Sequence, residues 1–209
     1  METYLMVLVH PFRIHEQFRH RLPLAGQDGH VYQPLTLAEA IGISWIFSIL
    51  RGLFKILILL FMLKSFLSME SGDFPFLADL LENSKSRAYY FLLFSAALDI
   101  IFFPITTLVL TELWAWVIRL YATWLNPELP GETIADQVTT HALSSNLFYI
   151  VPFIGDVIQH FLYYFLLYAG LRSNLGASRS LAWVILLTPF VLGIMLVSFV
   201  AFIAFYLMS

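Results

Sequence analysis

From Leu181 to Leu207 the chain carries no charged residue. A run of that length can satisfy its backbone in a membrane only as a helix crossing the hydrocarbon core. Pro189 and Gly193 are its only irregularities, so it reads as a lipid-facing or packing helix. The whole chain leans the same way, with 60% hydrophobic and only 12% charged residues. A soluble domain has about half apolar and about a quarter charged residues. The 209 residues therefore read as one integral membrane unit.

Composition also excludes several functions. The net charge of −3 offers no basic face for nucleic acid, which needs concentrated cations to neutralise phosphates. Cysteine is absent, which removes disulfides, thiolate metal sites, cysteine nucleophiles and palmitoylation. The start has Glu2 and only a short apolar run, Leu5 to Val9, before His10-Pro11. It lacks the charged start and long apolar core of a cleavable signal, so the spans are expected to direct insertion themselves.

Residues 1–35 mix Leu5, Leu8, Phe12, Ile14 and Phe18 with Arg13, Arg19 and Arg21. That pattern suits an element lying on the cytoplasmic membrane surface, or equally a solvated tail with a short helix. His15 and His20 are five residues apart and stand about 140° apart on a helix, so they cannot chelate one metal from a shared face. Residues 36–209 are expected to form an all-α, polytopic transmembrane helical bundle of five spans, at about 37–67, 88–122, 138–152, 155–172 and 179–208. The acidic stretch from Glu70 to Glu82 reads as a solvated connection. Pro104 either kinks the second span or splits it into a short hairpin. The kink is favoured because nothing nearby supplies the polar groups of an exposed turn.

Charges within spans are costly and mark functional sites or obligatory pairs. Arg51 and Lys55 share one face of the first span, and Asp99 and Glu112 lie on the second. Depth counted at about 1.5 Å per residue pairs Lys55 with Asp99 and Arg51 with Glu112. Asp156 and His160 fall on a polar-aromatic stripe with Tyr163, Tyr164 and Tyr168, a natural partner for the cationic face. The six residues Arg51, Lys55, Asp99, Glu112, Asp156 and His160 form a candidate intramembrane polar seam. It is either a polar pathway or, the favoured reading, structural pairing that fixes helix register. Ser144, Ser145 and Asn146 read as packing and hydrogen-bonding residues.

Arg172-Ser173-Asn174-Leu175-Gly176-Ala177-Ser178-Arg179 supplies a helix stop, a turn and a new cap. Lys and Arg in short loops set orientation. Arg13, Arg19, Arg21, Arg172 and Arg179 fall on one side of a five-span layout, which makes the N-terminus cytoplasmic and the C-terminus outside or lumenal.

The run Ala142-Leu143-Ser144 through Ile150-Val151-Pro152-Phe153-Ile154-Gly155, then Gly170-Leu171-Arg172, then Ser178-Arg179-Ser180-Leu181-Ala182, resembles the Yip1 family of polytopic membrane proteins. His10-Pro11-Phe12 followed by Phe18 looks like the lead-in of its prokaryotic members. The resemblance implies five spans and a cytoplasmic N-terminus. Eukaryotic relatives bind Rab-type GTPases through Asp-Leu-Tyr-Gly-Pro ahead of the first span. Here that place reads Val31-Tyr32-Gln33-Pro34-Leu35, a departure that puts GTPase binding in doubt. The absence of an Asn-x-Ser/Thr acceptor and the prokaryote-like lead-in favour a bacterial inner (plasma) membrane over an ER or Golgi membrane.

The expected function is accordingly non-catalytic: a Yip1-type integral membrane protein, without cofactor or metal, organising the lipid bilayer or an unidentified membrane partner, including further copies of itself. The alternative is a small transporter, channel or lipid-translocating protein that uses the charged seam. An intramembrane enzyme ranks third, because Asp156 with His160 is an acid-base pair without a nucleophile.

Overall fold

A computed structural model describes residues 2–19, 24–25, 31–32, 34–69, 75–125 and 130–208. Two short helices, α1 (Glu2–Val9) and α2 (Pro11–Arg19), precede a two-residue antiparallel pairing of β1 (Leu24–Ala25) with β2 (Val31–Tyr32). The remaining described elements are helical: α3 (Leu37–Met69), α4 (Pro75–Leu125), α5 (Gly131–Ala142), a 3₁₀ segment (Leu143–Ile150), α6 (Gly155–Ser173) and α7 (Arg179–Met208). Three of these are long and apolar enough to cross a membrane, over Leu37–Met62, Leu93–Leu125 and Arg179–Leu207. Residues 194–207 of α7 are exposed throughout, as lipid-facing side chains are.

Helix α3 starts from a reciprocal cap. Thr36 Oγ1 receives the Glu39 backbone N–H at 3.3 Å, while Glu39 Oε2 accepts the Thr36 N–H at 2.9 Å. Each satisfies a donor that a helix start leaves open. Helix α4 runs unbroken through Pro104, as the kinked reading of the second span expects. Proline has no N–H, so the Ile100 carbonyl one turn earlier loses its helical donor. The Trp45 indole of α3 supplies it, with Nε1–H donating to Ile100 O at 2.8 Å. A Cβ on Gly52 would come within 2.6 Å of Ile100 Cδ1, so glycine lets the two helices meet there.

Two sequence boundaries are corrected. Helix α4 begins at Pro75 rather than near 88, so the acidic stretch is partly helical. The segment 138–152 is no single helix, because α5 ends at Ala142 and the chain tightens into 3₁₀ geometry. Ser145 Oγ donates to Ala142 O at 2.9 Å, the local side-chain bonding by which serine competes with a regular ladder.

The 3₁₀ segment and α6 form a tight antiparallel hairpin. At its turn Phe153 adopts a φ of 65°, and a Cβ on Gly155 would collide with the Phe148 carbonyl oxygen, so the closing position needs glycine. At the other end of α6, Gly170 lies where a Cβ would meet Val138 Cγ1 at 2.7 Å and His15 Cε1 at 3.2 Å, so α5, α6 and α2 converge on it. Gly176, at φ 74° and against the Arg19 guanidinium, turns the chain. Ser178 Oγ then receives the Leu181 N–H at 3.3 Å and caps α7, the stop, turn and cap expected there.

The N-terminal helices dock on this hairpin. Tyr4 and Val7 are fully buried, and Tyr4 donates its hydroxyl to Leu143 O at 2.6 Å. His15 is fully buried, its ring centroid 5.7 Å from that of His141. His20 lies outside the described residues.

Two outcomes follow from these contacts. Trp45→Phe removes the donor to Ile100 and is expected to cost about 1 kcal/mol of thermal stability in detergent. In a Pro104→Ala background, where the helix supplies that donor itself, the same change is expected to be nearly neutral; equal costs in both backgrounds would contradict the pairing. Burial, then the neighbouring His141, lower the His15 pKa from 6.5 to about 3. Between those values the unfolded state binds the extra proton, so stability is complete above about pH 6.5 and falls on acidification. His15 alone is expected to remove about 2 kcal/mol between pH 7.5 and pH 5, and denaturation of His15→Leu at the two pH values should show that loss diminished.

Candidate functional site

Of the six seam residues, three meet. Arg51 Nη1 lies 3.2 Å from Asp156 Oδ1, and Lys55 Nζ lies 3.4 Å from Asp156 Oδ2. The i, i+4 spacing places both cations on one face of α3, and Asp156 occupies the first turn of α6, where a carboxylate is favoured by the helix dipole. Arg51 is the most enclosed of the three, its side chain 19% exposed against 42% for Asp156 and 49% for Lys55. Its guanidinium carbon stands 4.2 Å from the centre of the Tyr149 ring, which adds a cation–π contact.

These groups line a cavity of about 420 Å³ between α3, α4 and the hairpin turn. Asp99 and Ser95 of α4 line it too, with Phe54, Ile58 and Met62 among its apolar residues. Asp99 makes no ion pair among the described residues, so the expected Lys55–Asp99 pair is replaced by Lys55–Asp156. Depth along two helices could not anticipate that a third helix brings a closer carboxylate.

Two seam residues belong elsewhere. Glu112 pairs with Arg119 at 3.2 Å, and Arg119 also reaches Asp136 at 3.3 Å. This replaces the expected Arg51–Glu112 pair: Arg119 is seven residues on from Glu112 along the same helix and faces it directly. His160 Nδ1 lies 2.6 Å from the Asp156 backbone oxygen. A carbonyl only accepts, so Nδ1 donates there, and no ion pair joins His160 to the Asp156 carboxylate among the described residues.

Tyr149 was not among the residues singled out in the sequence. Its signal was its place on the approach to the Pro152–Gly155 turn, with Asp156 on the return. Behind the turn, Gln159 Nε2 donates to Asn146 Oδ1 at 2.9 Å, tying α6 to the 3₁₀ segment. The cavity holds fixed charges in a largely apolar wall. Among the described residues no group of three or more His, Asp or Glu side chains is placed to hold a metal ion.

Position along α3 fixes where this centre lies. Lys55 and Arg51 are seven and eleven residues short of Met62, where that helix's apolar stretch ends among the described residues, or about 10 and 16 Å of helix rise. The hairpin turn therefore stops well before α3 does. Phe153 and Ile154 at its tip are 74% and 57% exposed.

Comparison of the chain with models of protein families, with curated proteins and with solved structures gives no match.

Neutralising Asp156 strands two cations, so Asp156→Asn is expected to cost about 1–3 kcal/mol. Adding Arg51→Gln should recover part of that loss. Glu112→Gln, at a more exposed pair, should cost under about 1 kcal/mol. Thermal unfolding in one detergent checks the ranking; a larger loss for Glu112→Gln would reverse it.

Proposed function

We propose that this chain is a non-catalytic integral membrane protein of Yip1 type that organises protein partners or the bilayer around it. The observation that most supports the reading is that the residues carrying the family resemblance hold structural posts. Gly155 closes the turn, Gly170 sits where three helices converge, and Ser178 caps α7. A site of paired charges beside wide apolar faces suits recognition within the bilayer better than bond-making chemistry.

In this reading the chain has five membrane segments. Helices α3, α4 and α7 cross fully. Helix α5 with the 3₁₀ segment extends about 34 Å and α6 about 28 Å, long enough to enter the hydrocarbon core and return. Arg13, Arg19, Arg172 and Arg179 share the cytoplasmic side and the C-terminus lies opposite. A bacterial inner membrane suits this arrangement.

A second reading, a small transporter or lipid-translocating protein, draws on the charged cavity. Flux into liposomes that is lost on neutralising Asp99 and Asp156 would favour it over the organising role. For the first reading, the cysteine-free chain allows single-cysteine sidedness labelling. A cysteine at Ser178 should react with an impermeant maleimide only from the cytoplasmic side, and one at Ser209 only from the other. Crosslinking in native membranes should then capture a membrane protein partner or a second copy; labelling of both positions from one side would overturn the topology.

A further inference from the structure

The charges lining the cavity are balanced in number but not in place. Arg51 and Lys55 share a single carboxylate, Asp156, which leaves one positive charge in excess where α3 meets α6. On α4, Asp99 makes no ion pair among the described residues, which leaves one negative charge. A ligand that is only anionic would satisfy the first and leave the second unmet. A small cation would do the reverse. A zwitterion with an anion and a cation close together satisfies both, and in an apolar wall unmatched charges are the strongest determinants of what enters.

We propose that this cavity binds the phosphoethanolamine headgroup of a membrane phospholipid. The phosphate lies against Arg51 and Lys55, whose N–H donors make charge-assisted bonds to it. The ammonium lies against Asp99 and beside the Ser95 hydroxyl. A primary ammonium has three donors for these oxygens, whereas the quaternary ammonium of a choline headgroup has none. Phe54, Ile58 and Met62 add apolar wall beside these charges. Arg51 and Lys55 lie about 16 and 10 Å of helix rise short of Met62, so the headgroup is drawn below the membrane surface into the cavity. The inference rests on the membrane placement of α3 and α4 from the preceding reading and on nothing in the Yip1 resemblance.

The test is native mass spectrometry of the full chain released from nanodiscs containing phosphatidylethanolamine, phosphatidylcholine and phosphatidylglycerol in equal amounts. The protein should retain phosphatidylethanolamine about tenfold over phosphatidylcholine, the ratio that about 1.4 kcal/mol of differential binding gives. Asp99→Asn, whose fold depends on no ion pair of Asp99, should lose that preference while still retaining phosphatidylglycerol. Lys55→Gln should weaken retention of both phosphatidylethanolamine and phosphatidylglycerol, and Glu112→Gln should change nothing. A circular dichroism melt of each variant confirms that it is folded. Competition with soluble glycerophosphoethanolamine separates the sources: displacement assigns recognition to the headgroup alone, and persistence assigns it to the intact lipid, and either upholds the site. Equal retention of the three lipids, retention of phosphatidylglycerol alone, or an undiminished preference in folded Asp99→Asn would overturn it. Lipid preference without any captured partner would leave the site standing and remove the partner-organising role.

Discussion

A carboxylate at the end of an apolar turn has to be neutralised where it sits, and the packing of the hairpin against α3 answers that requirement. Asp156 follows Pro152-Phe153-Ile154-Gly155 directly, and its two oxygens go to two different cations of one helix face. Removing either partner class leaves uncompensated charge in an environment that solvates it poorly. The pairing therefore fixes the rotation of α3, the register of α6 and the height of the turn together. Tyr149 completes the enclosure from the incoming arm of the hairpin.

The same economy governs the backbone. Pro104 frees a carbonyl in α4, and the indole of Trp45 occupies it. The Leu143 carbonyl, at the junction of α5 with the 3₁₀ segment, takes the Tyr4 hydroxyl from the N-terminal helix. In both cases a polar side chain from a neighbouring element supplies what a regular helix would supply internally, as membrane helices require. These bonds make α1, α3 and α4 depend on one another rather than on propensity alone.

Much of this was legible in the sequence, and the limits are physical. Long apolar runs identified α3, α4 and α7, and the Gly176–Ser178 stop and cap were read correctly because each depends on local chemistry. The change of 138–152 from α to 3₁₀ geometry after Ala142 was not legible, because hydropathy does not register the side-chain bonding of Ser145 that accompanies it. For the site, the cationic face of Arg51 and Lys55 and its affinity for the Asp156 stripe were visible from spacing. Which acid Lys55 would take was not, since depth along α3 and α4 cannot weigh Asp99 against a carboxylate carried in by α6. Glu112 went to Arg119 because a residue two turns away on its own helix was nearer than any on α3.

The central claim is that the Arg51, Lys55 and Asp156 centre and the hairpin tip beside it lie inside the bilayer rather than at its surface. Spin labels at Phe153 and, for reference, at Val197, each introduced as a single cysteine, test it through collision with oxygen and with a water-soluble nickel chelate. The account predicts that position 153 resembles position 197, reached readily by oxygen and poorly by the chelate. Ready collision of the chelate with position 153 in a folded, reconstituted protein would contradict it.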